Sequence, residues 1–265
     1  MNMLKNIKNN LKDQQINPSF IKGVLKNQGI ITLLKKAYGY SKRSIYLLLP
    51  LKLKVALAKK ISKFESNDVH DVVHYSFNVL AGLIRPVQIT EEFEKFLTIF
   101  QEQKPNVVLE IGTDKGGSLF AMCKLAHQDA TIISVDLPEG LGDGYPKWKE
   151  QVYEMFTRPD QQLLLLRGDS HSEKMLTQVK EVLKDEKIDF AFIDGDHTYE
   201  GVKKDFEMYS PLVRSGGVIA FHDIAINEAP TGVPKFWQEV KNNYEHIEFI
   251  QDDKQVGYGI GCLYV

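Results

Sequence analysis

Cysteine is scarce in this 265-residue chain, which holds only Cys123 and Cys262. Neither belongs to a C-x-x-C or other metal-ligand spacing. That excludes a disulfide scaffold and a zinc ribbon, and leaves two reduced packing residues of the kind a cytoplasmic protein carries. Long apolar runs are missing too. The most apolar stretch, residues 45–51 (IYLLLPL), is interrupted by Pro50 and followed at once by Lys52 and Lys54. It falls far short of the ~20 residues that span a bilayer. Residues 1–17 lack the apolar centre and small-residue cleavage site of a secretory leader, so a cytoplasmic location is expected. Two nucleotide fingerprints, G-x-x-x-x-G-K-S/T and G-x-G-x-x-G, are also absent.

Acidic residues are scarce in one part of the chain alone. Residues 1–63 contain 14 lysines and arginines against a single acid, Asp13, a net charge of +13; the rest carries 19 basic and 34 acidic residues, a net −15. Opposite charge on two parts of one chain predicts a basic arm over residues 1–85 and an acidic domain over residues 86–265. The apolar content of 43% and charged content of 26% suit a soluble α/β domain with an appendage. Within the arm, residues 51–64 read as a helix with Leu53, Leu57, Ile61 and Phe64 on one side and Lys52, Lys59 and Lys63 beside them. Two readings stand open. The arm is a helical lid or dimer arm packed on the acidic domain, which would make the protein a homo-oligomer, or a basic amphipathic surface in peripheral contact with anionic membrane. No nucleic-acid partner is expected, because the lysines follow no recognisable binding motif. His70 and His74, four residues apart, could share a helix face, and without a third ligand nearby they suit a surface role. Thr90 reads as the N-cap of a helix whose apolar face is Phe93, Phe96, Leu97 and Phe100.

From residue 106 apolar strands alternate with amphipathic helices. Strands are predicted at 106–111, 131–135, 162–167, 190–193 and 217–221, with two more at 247–250 and 260–265. The first five are continuous and rich in Val, Ile, Leu and Phe, as strands covered on both faces are. The alternation predicts an α/β fold: a doubly wound, mostly parallel, seven-stranded Rossmann-like sheet with an N-terminal helical extension, binding its ligand at the carboxyl ends of the strands.

Those ends are chemically consistent. Residues 107–118 (VVLEIGTDKGGS) run from a strand through a glycine-rich turn into a helix, and Gly112, Gly116 and Gly117 would let a ligand approach the main chain. The second strand ends at Asp136, placed to meet ribose hydroxyls. The third ends in Arg167-Gly168-Asp169-Ser170, the fourth in Asp194-Gly195-Asp196-His197 and the fifth in His222-Asp223. Singly these are cap or turn residues; together they form a site. Its carboxylates suit a ligand that offers hydroxyls and carries positive charge, such as a nucleoside sulfonium, better than a phosphate-rich dinucleotide.

The segments EIGTDKGGS (110–118), Asp136, GDS (168–170), FIDGDHTYEG (192–201) and PLVRSGGVIAFHD (211–223) resemble the class I S-adenosylmethionine-dependent methyltransferases. The resemblance is to the branch of small-molecule and sugar O-methyltransferases that includes the macrolide-sugar and cephalosporin-hydroxylase-like groups. It covers roughly residues 86–265. It implies an enzyme using S-adenosyl-L-methionine, with Gly112, Thr113, Gly116, Gly117 and Ser118 against the methionine part of the cofactor. Glu110 would orient the loop and the cofactor's amino group, Asp136 would hold the ribose, and Asp169 and Ser170 would lie near the adenine, with Asp194 also at the cofactor. It further implies a C-terminal antiparallel pair, with Gly257, Gly259 and Gly261 allowing the bend.

Asp194, His222 and Asp223 should face one another at neighbouring strand ends. Clustered carboxylates repel unless a cation neutralises them, and Asp, Asp and His are ligands for a divalent metal, Mg²⁺ or Mn²⁺. The resembling metal-dependent O-methyltransferases hold Mg²⁺ at the matching positions, though His222 stands where they often have a carboxylate. Metal coordination would lower the pKa of the acceptor hydroxyl. His197 is the candidate general base, with a cap or support of Asp194 as the bland alternative. Residues 138–148 and 227–237 are loops expected to border a small-molecule or sugar acceptor, with Tyr145 and Trp148 either stacking on the sugar or anchoring the loop. The competing functions are a nicotinamide-dependent oxidoreductase on a similar sheet and a non-catalytic cofactor-binding scaffold.

Overall fold

The computed structural model describes residues 55, 58–78, 82–139, 144–225, 231–252 and 254–265. The apolar segment at 45–51 and most of the basic arm, including residues 1–54, lie outside the described residues. Among those described, no helix is long and apolar enough to cross a membrane.

Seven strands form one sheet: β1 (Val107–Ile111), β2 (Thr131–Asp136), β3 (Gln162–Arg167), β4 (Ile188–Ile193), β5 (Val213–His222), β6 (Glu245–Phe249) and β7 (Ile260–Tyr264). Their order is β3-β2-β1-β4-β5-β7-β6. The first five pair in parallel, and β7 lies antiparallel between β5 and β6. The chain starts at β1, winds outward to β3, then crosses back to β4. The crevice between β1 and β4, where the winding reverses, is where such sheets bind ligands.

Helices α1 (Val69–Asn78), α2 (Thr90–Gln103), α3 (Gly117–Leu125) and the single turn α4 (Glu150–Tyr153) cover one face; α5 (Glu173–Leu183), α6 (Tyr199–Tyr209) and α7 (Val233–Val240) cover the other. Successive side chains of a strand point to opposite faces, so the continuous apolar runs divide between two cores. Val218 and Ala220 enter the first core, whereas Ile219 and Phe221 enter the second. The first core is aromatic: Phe96 and Phe100 of α2 pack edge-on to Phe190 of β4 at centroid distances of 5.7 and 4.9 Å. Ala58, Ile61 and α1 share this core, and Phe64 packs on Tyr75 and Phe120. The end of the basic segment is thus built into the domain. The helix predicted over 51–64 does not continue to its end: residues Ile61–Lys63 form one 3-10 turn and Phe64 is extended.

Helices α5 and α6 carry side-chain N-caps, Ser172 accepting from the Met175 N–H and Thr198 from the Gly201 N–H. Thr90 does not do this for α2. It is the first helical residue, Ile89 occupies the cap position, and no side chain closes the turn. Two further expectations change. β3 is an edge strand, so its side chains are half-buried rather than covered on both faces. β5 begins at Val213, four residues early, with a register shift between Ile188 and Phe190 and a left-handed Gly216 absorbing the irregularity. In the C-terminal pair, Gly257 and Gly259 take positive φ as the bend requires. Gly261 serves packing instead, because a Cβ there would stand 2.5 Å from the Trp237 ring.

Candidate active site

The strand ends enclose a cavity of about 1060 Å³. The loops after β1 to β5 line it, together with residues 85–88, which precede α2, and residues 256–258, which precede β7. Of the residues expected at the site, Gly112, Thr113, Gly117, Ser118, Asp136, Asp169, Ser170, Asp194, His197, His222 and Asp223 are on its wall; Glu110 and Gly116 are not.

Glu110 is wholly buried beneath the glycine turn. Ser118 Oγ donates to its Oε1 at 2.5 Å and Thr113 Oγ1 to its Oε2 at 3.0 Å, while Thr113 Oγ1 also meets Ser134 Oγ at 2.6 Å. Burial pushes the carboxyl pKa up to about 8, against the pull of those two hydroxyls. It therefore braces the turn from behind as a neutral acid. It orients the loop, as expected, through Thr113 and Ser118, and its carboxyl is not on the cavity wall.

The glycines, too, are set by protein neighbours. Gly112 has φ +91°, and a Cβ there would lie 2.0 Å from the Asp194 carbonyl oxygen, so the β1 and β4 turns touch through it. Gly116 stands against the Tyr153 ring and Gly117 against the Ile84 carbonyl. Close approach is the reason for all three, but the approaching group is protein.

Asp136 ties the turn to β2. Its Oδ2 accepts from the Thr113 and Asp114 N–H groups at 2.9 and 2.8 Å, and its Oδ1 from Leu137 N–H at 2.6 Å. Burial raises its pKa against those three backbone bonds. Its remaining lone pairs are what it can offer to a ligand in the cavity.

At β3, Asp169 Oδ1 accepts from the His171 N–H at 2.9 Å. The His171 ring packs back on α6, with Nε2 3.2 Å from the fully buried Asp205 and 3.1 Å from the Gly201 carbonyl. Its pKa is raised, chiefly by the hydrogen bond to Asp205. The sequence reading passed over this pair, although a histidine next to the GDS segment was a visible signal.

The ends of β4 and β5 form one network. His222 Nδ1 lies 3.1 Å from Asp194 Oδ1 and 3.3 Å from Asp223 Oδ1. His197 bridges the same acids from the outer side, Nε2 to Asp194 Oδ1 at 3.4 Å and Nδ1 to Asp223 Oδ2 at 3.3 Å. Burial alone would raise the Asp194 pKa, but His222 and His197 outweigh it and hold the carboxyl at about 2. His222 is the reciprocal case: burial opposes its charge, yet Asp194 and Asp223 raise its pKa. Asp223 itself sits at φ +62°, a left-handed conformation that Asp tolerates better than most residues. The donor atoms of Asp194, His197 and Asp223 lie within 4.8 Å of one another, a set that could hold a metal ion. His197 thus joins the group expected of Asp194, His222 and Asp223. His222 lies beneath it, 5% exposed, with its Nε2 buried and without a hydrogen-bond partner among the described residues.

Of the two loops expected at the acceptor, residues 140–143 and 226–230 lie outside the described residues. Tyr145 is 1% exposed and packs edge-on to Tyr153, and Trp148 packs on the first core, so both anchor their loop. The cavity is also lined by residues 85–88 and 256–258, which the sequence did not mark as part of the site. His70 and His74 lie on the exposed face of α1, with His70 Nδ1 3.2 Å from Glu94.

Comparison with known proteins agrees with this geometry. Residues 109–224 match the Methyltransf_24 family model, a methyltransferase domain. The chain is 29% identical over 163 residues to the uncharacterised protein y4gI of Sinorhizobium fredii, spanning 61% of this chain and only 17% of that protein. It is 25% identical over 180 residues to the rhamnosyl O-methyltransferase of Mycobacterium leprae, 62% of this chain and 72% of that one. With the Mycobacterium tuberculosis rhamnosyl O-methyltransferase it shares 28% over 161 residues, 58% and 59% of the two chains. Among solved structures, an O-methyltransferase from Bacillus cereus in complex with SAH has the same fold, with a TM-score of 0.51 at 20% identity over 82% of this chain and 100% of that one. A putative O-methyltransferase from Klebsiella pneumoniae also shares it, with a TM-score of 0.51 at 16% identity over 74% and 87%. The chain therefore carries a methyltransferase domain over residues 109–224, on the sheet of the class I S-adenosylmethionine-dependent methyltransferases.

Proposed function

We propose that the protein transfers a methyl group from S-adenosylmethionine to a hydroxyl of a small molecule or sugar, a deoxysugar of the rhamnose type being favoured by the names of its mycobacterial relatives. The observation that carries this reading is a single cavity with the braced glycine turn and Asp136 on one side and the Asp194–His197–Asp223 network on the other. Bound there, S-adenosylmethionine supplies an electrophilic methyl on a positively charged sulfur, which a carboxylate-lined cavity accommodates. Asp136 holds the ribose hydroxyls and Asp169 with Ser170 the adenine end. His197 takes the proton of the acceptor hydroxyl as the new O–CH₃ bond forms and the S–CH₃ bond breaks, leaving S-adenosylhomocysteine. Alignment of the hydroxyl with the methyl is the larger contribution, since orientation can supply ~7–11 kcal/mol of a barrier.

A divalent ion fits the same network, with Asp194, His197 and Asp223 as its ligands. Two carboxylates and an imidazole suit Mn²⁺ better than the all-oxygen preference of Mg²⁺. Such an ion would lower the pKa of a coordinated hydroxyl. A metal-free reading is favoured by the charge balance, because His222 already lies between the two carboxylates and, protonated, cancels one of their two charges. Activity after EDTA treatment, with and without added Mn²⁺, separates the two: loss and recovery mean a metal, full retention means His197 alone.

Calorimetry tests the donor reading. S-adenosylhomocysteine should bind and NAD should not; the reverse would overturn it. Asp136→Asn should weaken S-adenosylhomocysteine at least ~10-fold. Asp223→Asn, which keeps a residue suited to the left-handed backbone, should leave that affinity intact and lower kcat ~10²-fold or more.

A further inference from the structure

Asp205, in the middle of α6, is wholly buried and has no part in the chemistry described so far. Its Oδ1 faces the His171 ring, 3.2 Å from Nε2, and its Oδ2 has no hydrogen-bond partner among the described residues. A carboxylate so buried is costly to ionise unless a cation faces it. The imidazole is the group in place to be that cation. Its Nε2 also lies 3.1 Å from the Gly201 carbonyl oxygen, which can only accept, so Nε2 carries a hydrogen. The second proton of a charged ring therefore sits on Nδ1. That atom is 3.8 Å from Oδ1 of Asp169, a carboxylate on the cavity wall.

Helix α6 grips the turn after β3 along one face. Gly201, Asp205 and Tyr209 follow at four-residue spacing, which stacks them on one side of the helix. The first two hold the His171 ring, and the Tyr209 hydroxyl donates to the Ser170 carbonyl at 2.7 Å. Asp205 reaches a second loop as well. A Cβ at Gly195, in the turn after β4, would stand 3.5 Å from its Oδ2. One buried carboxylate thus underlies both the turn of Asp169 and Ser170 and the turn of Asp194 and His197.

The charges around the ring are of one sign. Asp205 faces it from α6, Asp169 from its own turn and Asp196 from the turn after β4. The hydrogen bond to Asp205 is the largest of their effects, and together they raise the His171 pKa against the cost of burial. Glu173 of α5 adds negative charge at the same corner, beside Tyr209.

We propose that His171 is a positioning residue for the methyl donor: as an imidazolium seated on Asp205, it draws Asp169 inward and fixes the turn after β3 at the cavity wall. The inference rests on the donor reading and adds a control of donor affinity to it. When the ring loses its proton, Asp205 is left buried without a counter-charge, Nδ1 no longer attracts Asp169, and the turn loosens. Donor binding is therefore strongest while His171 is protonated and weakens as pH rises through its pKa.

Calorimetry of S-adenosylhomocysteine binding to the full chain, from about pH 6 to about pH 9, tests this. The unmodified protein should bind ~10-fold more weakly at the top of that range than at the bottom. His171→Gln keeps an N–H for the Gly201 carbonyl but carries no charge. It should bind weakly throughout and lose most of the pH dependence. Asp205→Asn, equal in size and neutral, should move the midpoint of the curve down by about one pH unit or more. The ring resonance of His171, identified by its absence from His171→Gln, should titrate with the binding midpoint in each protein that keeps it. The ligand's own amino group titrates alike in all three proteins, so the differences between them carry the result. A purely structural pair would lower affinity without moving a midpoint. A flat curve for the unmodified protein, a midpoint unchanged in Asp205→Asn, or full pH dependence in His171→Gln would each overturn the proposal. The last of these would assign the titration to His197 or His222. Failure of the unmodified protein to bind S-adenosylhomocysteine at any pH would instead bring down the donor reading, and with it the inference built upon it.

Discussion

Glu110 shows how a residue can be essential to a site without facing it. A carboxyl under the glycine turn was legible from the strand–turn–helix pattern, but its burial was not, and burial decides that it is neutral and structural. A sign follows for pH. Burial moves its pKa from the ordinary 4.5 up to about 8 in the folded protein, so folding favours its protonated form. Its contribution to stability is complete below pH 4.5 and is lost as pH climbs towards 8. Replacing Glu110 with Gln, which stays neutral, should flatten the fall in Tm between pH 5 and pH 8 seen in the unmodified protein. A slope identical in both proteins would show that Glu110 is ionised in the fold. Similar reasoning separates the two histidines of the network. Both lie beside carboxylates in the sequence, yet only packing places His222 beneath the acids and leaves the half-exposed His197 at the cavity.

At the level of elements, the strand–helix alternation was legible because a doubly covered strand is mostly apolar, as β1 and β4 are apart from Glu110 and Asp189. The edge position of β3 was not, since a run of leucines looks the same at an edge as at the centre. The cap expected of α2 at Thr90 is not made, for a physical reason. Thr198 caps α6 with its hydroxyl, but the first turn of α2 is used differently, with Glu92 bonding outward to the loop before β7. That contact joins residues more than 150 positions apart, and no local pattern announces it. Replacing Glu92 with Ala removes two hydrogen bonds and strands the Gly259 N–H, whereas the Gln251 N–H keeps Gln255 Oε1 as an acceptor, a cost of ~1–3 kcal/mol. Urea unfolding should register that loss. Turnover should show a raised acceptor KM, because the loop it anchors lines the cavity beside Asp223.

At the scale of the whole molecule, the cavity is assembled from five strand ends and two distant segments, so a ligand filling it links parts that otherwise meet only through the sheet. S-adenosylhomocysteine at 100 times its Kd should stabilise the protein by ~2.7 kcal/mol through binding to the folded state alone. Thermal unfolding should show a single transition moving upward with ligand concentration; an unmoved Tm would mean that the donor cavity does not take it. Where the chain is described, Ala58, Ile61 and Phe64 at the end of the basic stretch pack into the first core. The sequence alone determined the sheet, its winding and the set of polar residues at its carboxyl edge, because strand periodicity and chain direction are local properties that fix where each strand must end. Only the tertiary structure decided which of those residues face the cavity, which acid is neutral, and that Gln88 and Tyr258 bond to Asp194 and Asp223. Burial, and contacts between residues far apart in the chain, exist only once the layers have packed.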